Sequence, residues 1–216
     1  VKDAGAKGFM NKGKWSPYSD DPVFQKYYTK FVKALAKDFN DPSKVEFIDG
    51  FGLGKWGEYH TMIYSTGDDT PKKAVFDWVT DIYSQAFDKV PVVINYHRWI
   101  GAGKDWVDDE HFAADSEEML EEAIKKGYSL RHDAFGMTTY YGSWERRFAE
   151  KYRNICPIIM EGGWIVKSHN YWQDPRGYRK DSHEDVRRGE FDDSKEAHVN
   201  TVSYTHLRAH ETSAHL

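Results

Sequence analysis

Apolar residues recur every three or four positions in four segments, which predicts four helices. The first follows Asp21-Pro22, an N-cap and first-turn pair, over residues 22–39. The second follows Thr70-Pro71 and ends near residue 86. Ser116 is expected to cap the third, which ends at Gly127, and Ser143 begins the fourth. A polar segment at 174–193 is expected to form a long loop that runs into a final helix.

Short apolar runs at residues 45–49, 92–96, 128–132 and 157–160 predict strands between these helices. The run at 92–96 is almost continuously apolar, which indicates a parallel sheet covered on both faces. Strands that alternate with helices are typical of a parallel α/β fold. The spacing of the strands brackets the roughly 31 residues per unit of a (β/α)8 TIM barrel. No G-x-G-x-x-G follows any strand, so nothing favours a dinucleotide fold.

Composition narrows the possible partners. The 216 residues carry a formal net charge of −5, which argues against a nucleic-acid partner. No apolar run reaches the length of a membrane span, so we expect no membrane insertion. The single cysteine, Cys156, excludes an internal disulfide and is expected to be a small core residue. The oligomeric state is not indicated by the sequence.

Neither end of the chain looks like the natural end of a complete domain. The chain opens at Val1 rather than Met and shows no signal sequence, so we expect its natural start and any signal peptide to lie upstream. We suspect a secreted or periplasmic protein. Residues 202–212 resemble one reading frame of a sequencing-library adapter. We therefore expect residues 1–201 to be a fragment of one catalytic domain and residues 202–216 to be a non-native tail. The tail histidines are accordingly not interpreted as a metal site.

Two glutamates follow predicted strands at corresponding positions. Glu58 lies in the Gly-Lys-Trp-Gly-Glu-Tyr-His stretch of residues 54–60, and Glu161 directly follows residues 157–160. In a barrel the loops after the strands build the active-site face. Glycosidases need two carboxyl groups that flank the scissile bond, about 5 to 5.5 Å apart for retention and 6.5 to 9.5 Å for inversion. The pair therefore indicates sugar chemistry.

Tryptophans are concentrated in the same post-strand segments. Aromatic residues make up 16% of the chain, and seven of its eight tryptophans fall in or beside such segments: Trp15, Trp56, Trp99, Trp106, Trp144, Trp164 and Trp172. We expect Trp15 to follow a strand upstream of the chain. Indole rings stack on the apolar faces of sugars and give contact area at low entropic cost. The alternative is that these rings cover apolar cores beneath the loops.

The two glutamate motifs together resemble the clan A glycoside hydrolases, which are TIM barrels. The resemblance covers roughly residues 15–198 and implies that this chain holds strands four to seven. It assigns the acid/base role to Glu58, after strand four, and the nucleophile role to Glu161, after strand seven. Clan A enzymes usually carry Asn before the acid/base residue, whereas this chain has Gly57, so Asp49 is the fallback for that role.

Further candidate substrate contacts follow by position at the strand ends. They are Trp56, His60, Asn95, His97, Arg131, His132, Tyr140 and Trp164. Arg131 could hold Glu161 or bind an acidic sugar, or it could pair with Asp133. Tyr140 or Tyr141 could contact the nucleophile. No short metal-ligand spacing occurs, so we expect no metal and no cofactor.

We therefore expect a retaining glycosidase that acts on a poly- or oligosaccharide. One alternative is a non-catalytic carbohydrate-binding barrel, in which the tryptophans bind sugar and the glutamates only hydrogen-bond to hydroxyl groups. The other is a barrel lyase or isomerase in which His97 or His132 acts as the base.

Overall fold

The computed structural model describes residues 1–103, 110–135, 141–162 and 183–203. They form two compact units, one of residues 1–94 with 99–128, and one of residues 95–98 with the described residues from Ser129 onward. The described part of the chain is mixed α/β, and all of its strands after the N-terminal hairpin pair in parallel.

The first unit begins with an antiparallel hairpin of β1 (Gly8–Asn11) and β2 (Lys14–Pro17). Helix α1 (Pro22–Phe39) follows, then β3 (Ile48–Asp49), α2 (Lys72–Ala86), β4 (Val92–Asn95) and α3 (Glu110–Lys125). The last residue of β4, Asn95, belongs to the second unit. Strands β3 and β4 pair in parallel, with Ile48 opposite Val92. Helices α1 and α2 pack together, and α2 also contacts α3.

Helix α1 starts where its sequence predicts. The carboxylate of Asp21 accepts hydrogen bonds from the backbone N–H groups of Val23 and Phe24, at 3.0 and 2.9 Å. It also accepts one from Lys7 N at 3.1 Å, which ties the hairpin to the helix. These bonds satisfy N–H groups that have no partner within the helix, so the side chain fixes the helix start.

The second unit contains β5 (Ser129–Phe135), α4 (Ser143–Tyr152), β6 (Ile158–Gly162), α5 (His183–Glu196) and β7 (Thr201–Ser203). Strand β6 pairs in parallel with β5 on one side and with β7 on the other. Residues 95–98 run beside β5, because Tyr96 N donates to Arg131 O at 3.0 Å. Arg131 lies opposite Ile159, and His132 lies opposite Met160.

Three expectations differ from the structure. Helix α3 begins at Glu110, so Ser116 lies inside it, where its hydroxyl accepts a hydrogen bond from Ile100 N at 2.9 Å. Trp15 lies within β2 of an antiparallel hairpin that the apolar pattern did not predict. Strand β3, predicted over residues 45–49, covers only Ile48–Asp49.

The expected domain boundary at residue 201 falls within β7. Val202 pairs with Met160, and Ser203 pairs with Glu161. The first residues of the expected tail therefore lie beside β6, and the rest of that tail lies outside the described residues. The boundary stays a prediction.

Candidate functional site

The loop after β3 holds Glu58 in an unusual backbone. Trp56, Tyr59 and Thr61 have positive φ angles of 56°, 62° and 49°. Residues other than glycine rarely adopt this left-handed conformation, which costs roughly 1 to 2 kcal/mol each. Gly57, the neighbour of Glu58, has a φ of 80°. Glycine adopts this conformation at no steric cost, which gives a local reason for its presence.

Hydrogen bonds hold this strained loop in place. Lys55 N donates to His60 O at 2.9 Å, and Tyr59 N donates to Leu53 O at 2.9 Å. Gly101 N donates to Tyr59 O at 2.7 Å. The Tyr59 ring is fully buried, with edge-to-face contacts to Phe51 and Phe76. The loop is therefore held by the packing of Tyr59 in an aromatic core and by hydrogen bonds between backbone groups.

Glu58 lies within hydrogen-bond distance of His60. Their Oε2 and Nε2 atoms are 3.3 Å apart, and both side chains are largely buried. The other ring nitrogen, His60 Nδ1, lies 3.2 Å from Thr61 Oγ1. His60, expected as a substrate contact, is thus a direct partner of the candidate acid/base residue.

Trp56 projects from the same loop. It is 70% exposed, the highest value among the large hydrophobic residues in the described part of the chain. Its ring makes an edge-to-face contact with His60 at a centroid distance of 5.7 Å, and Lys55 Nζ lies 4.2 Å from its centroid. An exposed indole beside a carboxylate is suited to contact a ligand. Trp99 and Trp144, in contrast, are buried.

In the second unit, Glu161 lies near the end of β6 and pairs with Arg131 of β5. The distance from Arg131 Nη2 to Glu161 Oε2 is 3.1 Å. Arg131 lies opposite Ile159, and Glu161 is two residues further along β6, so both side chains share one face of the strands. Of the alternatives for Arg131, the structure shows the pairing with Glu161.

His132 lies on the opposite face of β5. It is 2% exposed and contacts the rings of Tyr96, Tyr141 and Phe135, at centroid distances of 5.0, 4.9 and 5.9 Å. Burial lowers its pKa to about 4 despite the nearby charge of Asp133. This setting favours a neutral core histidine over a substrate contact or a catalytic base.

Asn95 and His97 are both buried in the second unit. The side-chain Oδ1 of Asn95 has no hydrogen-bond partner among the described residues. Tyr140 and Trp164 lie outside the described residues, so their expected roles stay predictions. Tyr141 is buried, and the recorded partner of its hydroxyl is the hydroxyl of Tyr96, 3.0 Å away.

A buried ion pair was missed by the sequence analysis. Arg98 Nη1 donates to both carboxylate oxygens of Glu145 at 2.9 Å, and Gly142 N donates to Glu145 Oε2 at 2.9 Å. Glu145 is fully buried, and burial raises its pKa although Arg98 and Gly142 oppose that effect. Glu145 is three residues beyond Gly142, at the N3 position of α4, which is the one sequence signal that could have identified it.

In the described ranges, no group of three or more His, Cys, Asp or Glu side chains is arranged to hold a metal ion. None of the helices in the described part of the chain is long and apolar enough to cross a membrane.

Comparison with known proteins adds no relative: no protein-family model, no curated protein and no solved structure matches this chain.

Proposed function

We propose that this chain belongs to the catalytic barrel of a retaining glycoside hydrolase that acts on a poly- or oligosaccharide. The observation that carries the proposal is the Arg131–Glu161 ion pair near the carboxyl end of a parallel strand. In α/β barrels this end of the strands carries the catalytic residues. Glu161 is 9% exposed, so it is held by its neighbours yet keeps some access to solvent.

The ion pair suits the role of a nucleophile. A carboxylate that attacks an anomeric carbon must be charged and fixed in orientation, and the guanidinium of Arg131 contacts one of its oxygens only 3.1 Å away. In the proposed first step, the Glu161 carboxylate forms a bond to the anomeric carbon while the bond to the leaving oxygen breaks. The product of this step is a covalent glycosyl-enzyme.

Glu58 is the proposed acid/base residue. Its carboxylic acid gives a proton to the leaving oxygen in the first step. In the second step its carboxylate takes a proton from the water that attacks the anomeric carbon and releases Glu161. Support comes from its pairing with His60, which fixes the carboxyl group, and from the exposed Trp56 ring, which offers a stacking surface for a sugar.

The test uses the purified protein and a panel of chromogenic glycosides and soluble polysaccharides. We expect Glu161→Gln to lower kcat by roughly 10⁴-fold or more, on the scale seen when a catalytic nucleophile is removed. Glu150→Gln is the matched control, because Glu150 lies on α4 of the same unit and is exposed. A 2-deoxy-2-fluoro glycoside should label Glu161 and increase the peptide mass by one sugar.

The outcomes separate the proposal from its alternatives. Turnover that survives in Glu161→Gln would exclude this mechanism. Sugar binding without turnover in the wild-type protein would favour the carbohydrate-binding barrel. Turnover that depends on His97 and is indifferent to both glutamates would favour the lyase or isomerase.

A further inference from the structure

We propose that Asn95 selects the substrate: its side-chain Oδ1 accepts a hydrogen bond from one ring hydroxyl of the sugar that Glu161 attacks. This inference rests on the proposed glycosidase function. It adds a specificity-determining residue and a chemical requirement, a hydroxyl donor at one ring position.

The first observation is an unsatisfied buried acceptor. Asn95 is 2% exposed, and its Oδ1 has no hydrogen-bond partner among the described residues. A buried polar atom without a partner costs roughly 1 to 3 kcal/mol, and most such atoms in native proteins are bonded. An amide in this state is therefore suited to gain its partner from a ligand.

The second observation is the face on which Asn95 lies. The next residue, Tyr96, contacts His132 at 5.0 Å and stacks on Phe148 of α4 at 5.8 Å. Because successive side chains of an extended chain point to opposite faces, Asn95 points away from that aromatic layer.

Arg131 and Glu161 occupy the face to which Asn95 points. His132, the neighbour of Arg131, contacts Tyr96, so Arg131 faces the other way. Tyr96 N donates to Arg131 O, which puts residues 95–98 directly beside this part of β5. Asn95, Arg131 and Glu161 therefore share one face of three adjacent extended segments of the second unit.

The chemistry of this face defines the ligand group. Arg131 is a cation that contacts Glu161, and Asn95 Oδ1 can only accept hydrogen bonds. A neutral hydroxyl donates to Asn95 without disturbing the ion pair. A sugar that lacks this hydroxyl would leave Oδ1 buried and unbonded in the complex, and sites of this kind discriminate strongly against the missing group.

The test is a series of substrate analogues, each lacking one ring hydroxyl, made from whichever aryl glycoside the wild-type protein hydrolyses. We expect one analogue to lose roughly 10- to 100-fold in kcat/KM with the wild type. With Asn95→Ala, the parent substrate and that analogue should differ by less than about threefold. Asn154→Ala is the control, because Asn154 is exposed and lies in the same unit, and it should keep the wild-type discrimination.

Asn95→Leu tests the same idea without substrate. Leucine has a similar size and no polar atom, so the urea midpoint of unfolding should stay at or above that of the wild type if Oδ1 has no partner inside the protein. A clearly lower midpoint would show that Oδ1 serves the fold, and would overturn the inference.

Failure of this inference is distinguishable from failure of the proposed function. If the wild type hydrolyses glycosides, Glu161→Gln does not, and Asn95→Ala discriminates among the analogues as the wild type does, then the role of Asn95 is wrong and the glycosidase stands. If the wild type hydrolyses nothing, both are wrong.

Discussion

Acidification from pH 7.5 to pH 5 is expected to destabilise the protein through His132. The ring is buried against Tyr96, Tyr141 and Phe135. Burial is the main cause that lowers its pKa to about 4, from an ordinary value of 6.5. Among the nearby charges, Arg131 and Arg98 lower the pKa further, whereas Asp133 and Asp193 oppose the shift.

The sign and size of the effect follow from proton linkage. Between pH 6.5 and pH 4 the unfolded chain binds a proton at His132 and the folded chain does not, so stability falls as the pH falls through this window. The full difference corresponds to ~3 kcal/mol. About 2 kcal/mol of it should be lost by pH 5. The contribution is fully present above pH 6.5.

The assay compares urea unfolding of the wild type and His132→Gln at several pH values and constant ionic strength. Glutamine does not titrate, so the variant should gain about 2 kcal/mol relative to the wild type between pH 7.5 and pH 5. His198→Gln is the control, because His198 is exposed and far along the chain from the ring cluster around His132. A difference between wild type and His132→Gln that stays constant with pH would refute the reasoning.

Further substitutions test individual local contacts by urea unfolding. Gly54→Ala should lower the free energy of unfolding by roughly 3 kcal/mol or more, because φ is 77° and the new Cβ would lie 2.6 Å from a backbone oxygen. Gly67→Ala is the control: its φ is similar but the space around it is open, so it should cost about 1 kcal/mol. Asp21→Ala should cost about 1 to 2 kcal/mol through loss of the α1 cap; a cost near zero would contradict the capping role. Arg98→Met should cost about 3 to 5 kcal/mol because Glu145 stays buried without its cation, and the double variant with Glu145→Leu should recover much of this; no recovery would contradict the ion-pair argument.

Regular elements with local signals could be predicted from the sequence. The Asp21-Pro22 pair predicted the start of α1, and the structure confirms both the cap and the helix. Ser143 begins α4 as predicted, and Gly127 follows α3 with a φ of 95°. In each case the residues that start or end the helix are adjacent to it in the sequence, so the sequence alone is enough to predict its bounds.

Prediction failed where a side chain serves another segment. Ser116 has the chemistry of an N-cap, but its hydroxyl bonds to the backbone of Ile100, sixteen residues away, while α3 begins earlier. The pairing of Arg98 with Glu145 spans a larger separation, forty-seven residues. Contacts of this kind depend on the tertiary fold, and apolar periodicity carries no information about them.

The candidate site was predicted in part. The strand ends indicated Glu58, His60, Arg131 and Glu161. In the structure Glu58 lies within hydrogen-bond distance of His60, and Arg131 forms an ion pair with Glu161. The sequence did not show which of Arg131 and His132 faces the site, because neighbouring strand residues differ only in the face to which they point. The strand register and the ring contacts of His132 make that distinction.

Two of the places where this chain breaks local rules lie on or beside predicted site residues. Left-handed backbone also occurs at Lys12 and His198, and Trp144 Nε1 is likewise buried without a partner among the described residues. The loop around Glu58 holds Trp56, Tyr59 and Thr61 in left-handed backbone, and Asn95 buries an oxygen that has no partner among the described residues. Each feature costs roughly 1 to 3 kcal/mol, a substantial fraction of the stability of a typical domain. Such costs persist where the surrounding structure enforces them, and they are concentrated at functional sites. At the Glu58 loop and at Asn95, these costs agree with the position of both residues at or after strand ends, which does not depend on the family resemblance.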